Sequence, residues 1–372
     1  MKNTLITIVL FFSFVNVSYT QTAAALELRD KLLQTKLDSL FAGEKENEPG
    51  GSFYIEKGGR MLYSKSFGLA DLKTGEKFTS KTVSNTGSIT KTFVAYGILI
   101  LQKMGKLSIE DNLLKYFPDF KNKEIASKIK LRHMLTHSSG LPDLRNVRKD
   151  SVFYLTAKDE ENFAPLKQAD SLEFEPGTNC SYSNPCFNGL ALIIEKVSGM
   201  KWQTFIDKYV FQPSGMKNSK ITDGSFPDVG VAHSYVKKNE KYQELDYGEY
   251  PTMAAAGNGG VWSSVEELLK YVNALKNISF LDRQTIKFSQ TIWIPPLWKG
   301  KQPPFMGFSW FIYTPQGNSR NYRIEHTGSQ AGFRGIISIY PDADIVLVGL
   351  SNNDQWYPAK IVEQLVKLKY IN

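Results

Sequence analysis

Strand-forming stretches gather at the two ends of this chain, and what separates them is mainly helical. Residues 50–68 alternate as two strands joined at Lys57-Gly58-Gly59, and Leu72-Lys73-Thr74-Gly75-Glu76 has the make-up of a further hairpin turn. Beyond Phe305 the pattern returns, with strands predicted over residues 307–313, 322–326, 333–340 and 345–351. Between the two groups, helices are predicted over residues 131–137, 188–198, 202–210 and 265–274, and Gly105 starts a turn and short helix ended by Pro118. Residues 23–41 carry leucines at the spacing of an amphipathic helix, and a closing helix is expected over about residues 358–369. Strands at both ends with helices between imply that the ends share one sheet. The fold class that follows is α/β: an antiparallel sheet from the N- and C-terminal segments, flanked by helices, with an all-helical region inserted over about residues 88–300.

The first twenty residues read as a targeting segment outside that fold. Lys2 is a short positive start, residues 5–15 are apolar, and Ser18-Tyr19-Thr20 offers small residues where a signal peptidase cuts, before Gln21. The apolar run is too short to span a bilayer, and no cysteine near the cut is available for lipid attachment. The mature chain, residues 21–372, is therefore expected to be a single exported domain, periplasmic or secreted, and not membrane-spanning. At 42% hydrophobic residues the full 372-residue chain has ample material for a large core. Its net charge of +8 is spread along the chain, and no basic block is interleaved with stacking aromatics, so nucleic acid is not an expected partner. In an oxidising compartment Cys180 and Cys186 either bridge a loop or remain two half-buried thiols, and spacing leaves both readings open.

The chemistry centres on Gly87-Ser88-Ile89-Thr90-Lys91, which runs into an apolar stretch ending at Leu101. If that stretch is a helix, Ser88 lies in its first turn and Lys91, three residues on, shares its face. A serine attacks a carbonyl at neutral pH only when a base takes its proton, and a desolvated lysine can be that base. The helix N-terminus adds positive potential where an oxyanion forms. The same spacing recurs at Ser127, Ser198, Ser214 and Ser234, where context explains it otherwise: Ser198 and Ser214 each precede a glycine, Ser127 sits in a charged run and Ser234 in a polar strand-like stretch.

Two more constellations point the same way. Tyr182-Ser183-Asn184 falls on a loop before a helix expected to begin near Pro185, so phenol and amide can enter one cleft. A nearby lysine ammonium would favour the anionic tyrosine, which could shuttle a proton to a leaving group. His326-Thr327-Gly328-Ser329 ends a predicted strand, where a cation and two hydroxyls on an edge could hold a carboxylate and a backbone N–H could complete an oxyanion hole. Lys73-Thr74-Gly75 imitates this last motif but reads as a hairpin tip.

In that order, Ser88-x-x-Lys91, Tyr182-x-Asn184 and His326-Thr-Gly328 resemble the three motifs of the serine penicillin-recognising enzymes, in the branch of class C β-lactamases, DD-peptidases and related esterases. The likeness extends to Leu135-Thr-His-Ser-Ser-Gly-Leu141, Phe174-Glu-Pro-Gly177 and Gly257-Asn-Gly-Gly-Val-Trp-Ser-Ser264. It implies that Ser88 is the acylated nucleophile, Lys91 its proton acceptor and Tyr182 the acid or base for the leaving group. It also implies that Asn184 holds a substrate carbonyl, that His326, Thr327, Gly328 and Ser329 form the carboxylate-binding strand, and that the N–H groups of Ser88 and Ser329 form the oxyanion hole. His326 departs from the lysine of most β-lactamases of this branch: a histidine is mostly neutral at pH 7 unless an acid holds its proton, which weakens carboxylate binding, and the histidine form resembles DD-peptidases, D-amino-acid peptidases and esterases more. The expected activity is hydrolysis of D-Ala-D-Ala peptides, with β-lactams, small esters or stable penicillin binding as alternatives. The expected partner is a small-molecule or peptide substrate, bound by a monomer without cofactor or metal. His133 and His137 are four apart, as zinc ligands can be, but Met134 stands where a metalloprotease has glutamate, so core or capping roles are expected.

Overall fold

The computed structural model describes residue 28 and residues 30–145, 153–221, 230–245, 256–293, 304–315 and 322–367. The expected targeting segment lies outside the described residues. Helix α1, residues 30–41, belongs to a separate N-terminal unit, and Leu33, Leu37 and Phe41 are its buried positions, four residues apart as an amphipathic helix requires. Everything below concerns the second unit, which begins at Lys45.

Among the described residues this unit is built on a seven-stranded antiparallel sheet. Its strands in chain order are β1 (Gly51–Lys57), β2 (Arg60–Phe67), β3 (Phe305–Met306), β4 (Phe311–Tyr313), β5 (Arg323–Gln330), β6 (Phe333–Tyr340) and β7 (Ile345–Ser351), and they lie side by side as β3-β4-β5-β6-β7-β1-β2. The ends of the chain meet at β1 and β7, where Gly51 pairs with Ser351 and Lys57 with Ile345. The strand expected over 307–313 is instead two short strands around a turn at which Ser309 takes φ 64°. Phe308 and Trp310 in that turn are buried, so their aromatic character serves the core and not a pleated ladder. β5 runs four residues further than the predicted 322–326, carrying His326 into its middle.

The region between β2 and β3 is mainly helical, not all-helical. Lys220–Ile221 and Val261–Ser263 pair with each other, Ser84–Asn85 pairs with Val261–Ser263, and Tyr235–Lys238 pairs with Lys241–Glu244. The long helices are α2 (Thr90–Lys103), α3 (Asn184–Ser198) and α4 (Val265–Lys276), and α5 (Pro358–Lys367) follows the sheet. The helix predicted over 202–210 is α-helical from Trp202 to Ile206 and then widens into a π turn, Asp207–Phe211. α2 is the core helix: every residue from Thr90 to Leu101 is buried, as a helix apolar on all sides must be. Phe93 on it packs at 4.3 Å against the ring of Tyr271 from α4 and edge-on against Phe211. Among the described residues no helix is long and apolar enough to cross a membrane.

Candidate active site

Ser88 sits just before α2, in a single 3-10 turn, Gly87–Ile89, and not in the first α turn that its spacing predicts. Two short strands clamp this turn. Asn85 Oδ1 accepts from Gly87 N at 2.8 Å and its Nδ2 donates to Gly259 O at 3.1 Å, while Thr86 N donates to Val261 O at 2.9 Å. Thr90 Oγ1 in turn accepts from Val261 N at 3.0 Å. The residues flanking the serine are thus tied to the same loop on which its base depends.

That base is Lys91. Its Nζ lies 2.9 Å from Ser88 Oγ and donates to Asn258 O at 2.7 Å. The side chain is fully buried, and burial, with the Arg145 guanidinium adding repulsion, holds its amine well below the ordinary lysine value. Arg145 is itself buried and held by Asp143 at 2.7 Å and by Asn162 Oδ1 at 2.6 Å. A neutral Nζ has a free lone pair, and at 2.9 Å it is placed to take the serine proton.

Tyr182 closes the constellation from the loop before α3. Its hydroxyl faces Ser88, and Lys91 Nζ stands 5.2 Å from its ring centre. Although 43% of the residue's surface is exposed, its hydroxyl is desolvated within the site, which lifts its pKa above the ordinary tyrosine value, the Ser88 hydroxyl opposing this only in part. The expectation of a favoured phenolate is therefore corrected: with Lys91 neutral no ammonium stabilises the anion, and Tyr182 is a proton donor at rest. Its ring stacks on His137 at 4.2 Å, a histidine in the left-handed region at φ 55°. His137 Nδ1 accepts from Ser183 N at 3.0 Å, and His137 O accepts from Ser181 N at 2.8 Å, so this imidazole pins the tyrosine loop from both sides. His133 caps its own helix, Nδ1 accepting from Lys130 N at 3.1 Å. Asn184 is half-buried and opens α3 one residue before Pro185, a residue suited to a helix's first turn.

The β5 motif arrives in a different form from the one expected. β4 pairs with β5 only over Arg323–Glu325, so from His326 onward this side of the strand has no neighbour in the sheet among the described residues and faces the Ser88 turn. Gly87 and Gly328 are needed there. A Cβ on Gly328 would sit 2.0 Å from Thr86 O, and one on Gly87, already at φ 52°, would sit 2.7 Å from Ser329 N. His326 is fully buried while Thr327 is half-buried and Ser329 exposed, because neighbouring strand residues point to opposite faces. Since a carbonyl only accepts, His326 Nδ1 carries the proton that it donates to Thr327 O at 2.7 Å, and burial above all lowers its pKa to about 3. The cation expected beside two hydroxyls is thus a neutral imidazole turned away from them, and its Nε2 finds no hydrogen-bond partner among the described residues.

The remaining sequence signals fall away from this centre. Cys180 and Cys186 are free thiols, directed at Thr136 O and Ser139 Oγ respectively. Ser198 and Ser214 end helices before Gly199 and Gly215, both at positive φ, Ser127 bonds its own helix backbone at Glu124 O, and Ser234 Oγ accepts from Gly332 N. Sequence reasoning missed two participants: the Asn258 carbonyl, which as backbone carries no side-chain signature, and the stacking role of His137.

Known proteins share this arrangement of chain. A family model described as Beta-lactamase matches residues 31–369. Penicillin-binding protein 4* of Bacillus subtilis (strain 168) is 27% identical over 340 residues, which is 87% of this chain and 72% of that protein. An octameric penicillin-binding protein homologue from Pyrococcus abyssi superposes with a TM-score of 0.75 at 26% identity, covering 91% of this chain and 77% of its own. The D-amino acid amidase of Ochrobactrum anthropi SV3 has the same fold, with a TM-score of 0.71 at 21% identity over 87% of this chain and 91% of its own.

Proposed function

The chain belongs to the beta-lactamase family, whose members are serine hydrolases, and on that premise we propose that it cleaves amides or esters through an acyl-enzyme on Ser88. The observation that carries this reading is the buried Lys91 amine 2.9 Å from Ser88 Oγ. Lys91 takes the hydroxyl proton as Oγ bonds to the substrate carbonyl carbon. The N–H groups of Ser88 and Ser329 receive the oxyanion, Tyr182 delivers its proton to the departing amine or alcohol, and Lys91 returns its own to Tyr182. Water then attacks the acyl-enzyme with the same groups in reverse.

The leading substrates are peptides ending in D-Ala-D-Ala. Binding of the terminal carboxylate falls to Thr327 Oγ1 and Ser329 Oγ, because His326 is neutral. That neutrality favours one second reading, a hydrolase of small esters or D-amino-acid amides that lack a carboxylate. Export to the periplasm or medium, and a monomeric state beside the octameric Pyrococcus homologue, complete the proposal.

Intact mass followed after adding excess benzylpenicillin, with Ser88→Ala alongside, tests it. A stable adduct that needs Ser88 supports a peptidase or a penicillin receptor, which D-Ala-D-Ala release then separates. A transient adduct with hydrolysed drug means a β-lactamase. No adduct, and no turnover of D-Ala-D-Ala peptides, D-amino-acid amides or esters, would sink the acyl-enzyme reading.

A further inference from the structure

Lys91 is steered by a backbone carbonyl, and something must hold that carbonyl. Asn258 lies in a tight turn in which Gly259 N and Gly260 N both donate to Ala256 O, at 3.0 and 2.7 Å. The turn presses onto α3, since a Cβ on Gly257 would meet Ala191 Cβ at 2.6 Å and Phe187 O at 2.8 Å. Its directional anchor is Asp159. Oδ1 of this buried carboxyl accepts from Gly257 N at 2.8 Å and from Asn188 Nδ2, on α3, at 2.7 Å.

We propose that Asp159 is a positioning residue for the nucleophile's base: its Oδ1 fixes Gly257 N, the turn then aims Asn258 O, and that carbonyl holds Lys91 Nζ against Ser88. The series of contacts is continuous at 2.8, 2.7 and 2.9 Å. Helix-dipole preference does not account for Asp159. Of the three acidic residues opening its short helix, Glu160 pairs with Lys167, Glu161 accepts from Lys158 N, and Asp159 alone turns inward. Its charge is not the working feature either. Burial raises the carboxyl to about 7 despite its hydrogen bonds, so near neutrality it is protonated in about half of the molecules. What the site uses is an acceptor oxygen, which an amide supplies equally.

The role rests on the acyl-enzyme reading above, and its test separates the two. Purified full chains of wild type, Asp159→Asn, Asp159→Leu and Asn188→Ala are titrated with a fluorophosphonate that labels Ser88, and p-nitrophenyl acetate turnover is expressed per labelled site. Asp159→Leu keeps the shape without the acceptor and is expected to lose tenfold or more in kcat, with KM changed less than about threefold. Asp159→Asn is expected within about threefold of wild type, and so is Asn188→Ala, which removes the other donor from the same oxygen. A purely structural role would lower the labelled fraction and leave the rate per site alone, which would overturn the proposal. A tenfold loss per site in Asn188→Ala would also overturn it, and this holds even if Asp159→Leu does not fold. A wild type that is neither labelled nor active would sink the acyl-enzyme reading and the positioning role together, whereas a labelled, active wild type matched by Asp159→Leu sinks only the latter.

Discussion

Lys91 is costly to the fold in the form that makes it useful. An ammonium there would be fully desolvated beside the Arg145 guanidinium, so the folded state keeps the amine neutral while the unfolded chain protonates it. Below the ordinary lysine pKa the unfolded state binds one proton more, and stability rises with pH through this group. Lys91→Met should therefore abolish acylation by penicillin or fluorophosphonate and raise the thermal midpoint, and a lowered midpoint in calorimetry would refute the account of burial. In the wild type the acylation rate should climb with pH through a midpoint well under 10.5, because only the neutral amine accepts a proton. Tyr182 titrates the other way, its phenol held above the ordinary value, so no tyrosinate limb should appear near neutrality. Tyr182→Phe should lower turnover by roughly 100-fold, and retention of near-wild-type turnover would remove it as the proton donor. Ser88 and Lys91 were legible in the sequence because three residues of helical or near-helical chain fix their relation locally. His326 was legible as a position and, being a histidine, as a mostly neutral group, but its full burial was not, since no spacing reveals burial.

At the scale of elements, the site is an encounter between one turn and one half-paired strand. β4 begins at Phe311, opposite Glu325, and the stretch of β5 beyond that pair is closed by the Ser88 turn, backbone against backbone. Gly328→Ala puts a methyl where Thr86 O already lies 2.0 Å away, so strand and turn must separate. That variant should fold with a loss of about 1–3 kcal/mol and lose at least about 100-fold in turnover, read by urea unfolding and by rate per labelled serine. Unchanged turnover would mean that Ser329 N plays no part in the oxyanion hole. The strands β1, β2, β6 and β7, rich in β-branched and aromatic residues and bounded by turn residues, were readable to within a residue at their ends. The stretch 307–313 was not, because Phe308 and Trp310 are apolar for a turn folded into the core. Nor was the π turn after Ile206, whose wider winding leaves the apolar spacing of Val210 and Phe211 intact.

Taken whole, the molecule is sensitive to acid for a reason distributed over it. His133 and His326, lowered to about 4 and about 3, and His137, well below its ordinary value, are buried neutral, and each takes up a proton on unfolding. Depressed values mean that their contribution is intact above pH 6.5 and is lost as pH falls below it. Asp159, raised to about 7, opposes them by one proton. Across these four groups the unfolded chain still binds more protons than the folded one between roughly pH 6 and 4, and neutral Lys91 adds to the difference, so stability falls with pH there. The urea midpoint should therefore drop steeply from pH 7 to pH 5, and a flat midpoint would show that these imidazoles accept protons without unfolding. The pairing of β1 with β7 has a consequence in time. Gly51 pairs early with Phe67 but finds its second partner, Ser351, only near the end, so a growing chain carries Ser88, Lys91 and Tyr182 long before the sheet that completes their surroundings exists. Synthesis thus delivers the reactive groups early and the catalyst late, and a nascent polypeptide is expected to be chemically silent until its last strand closes onto its first.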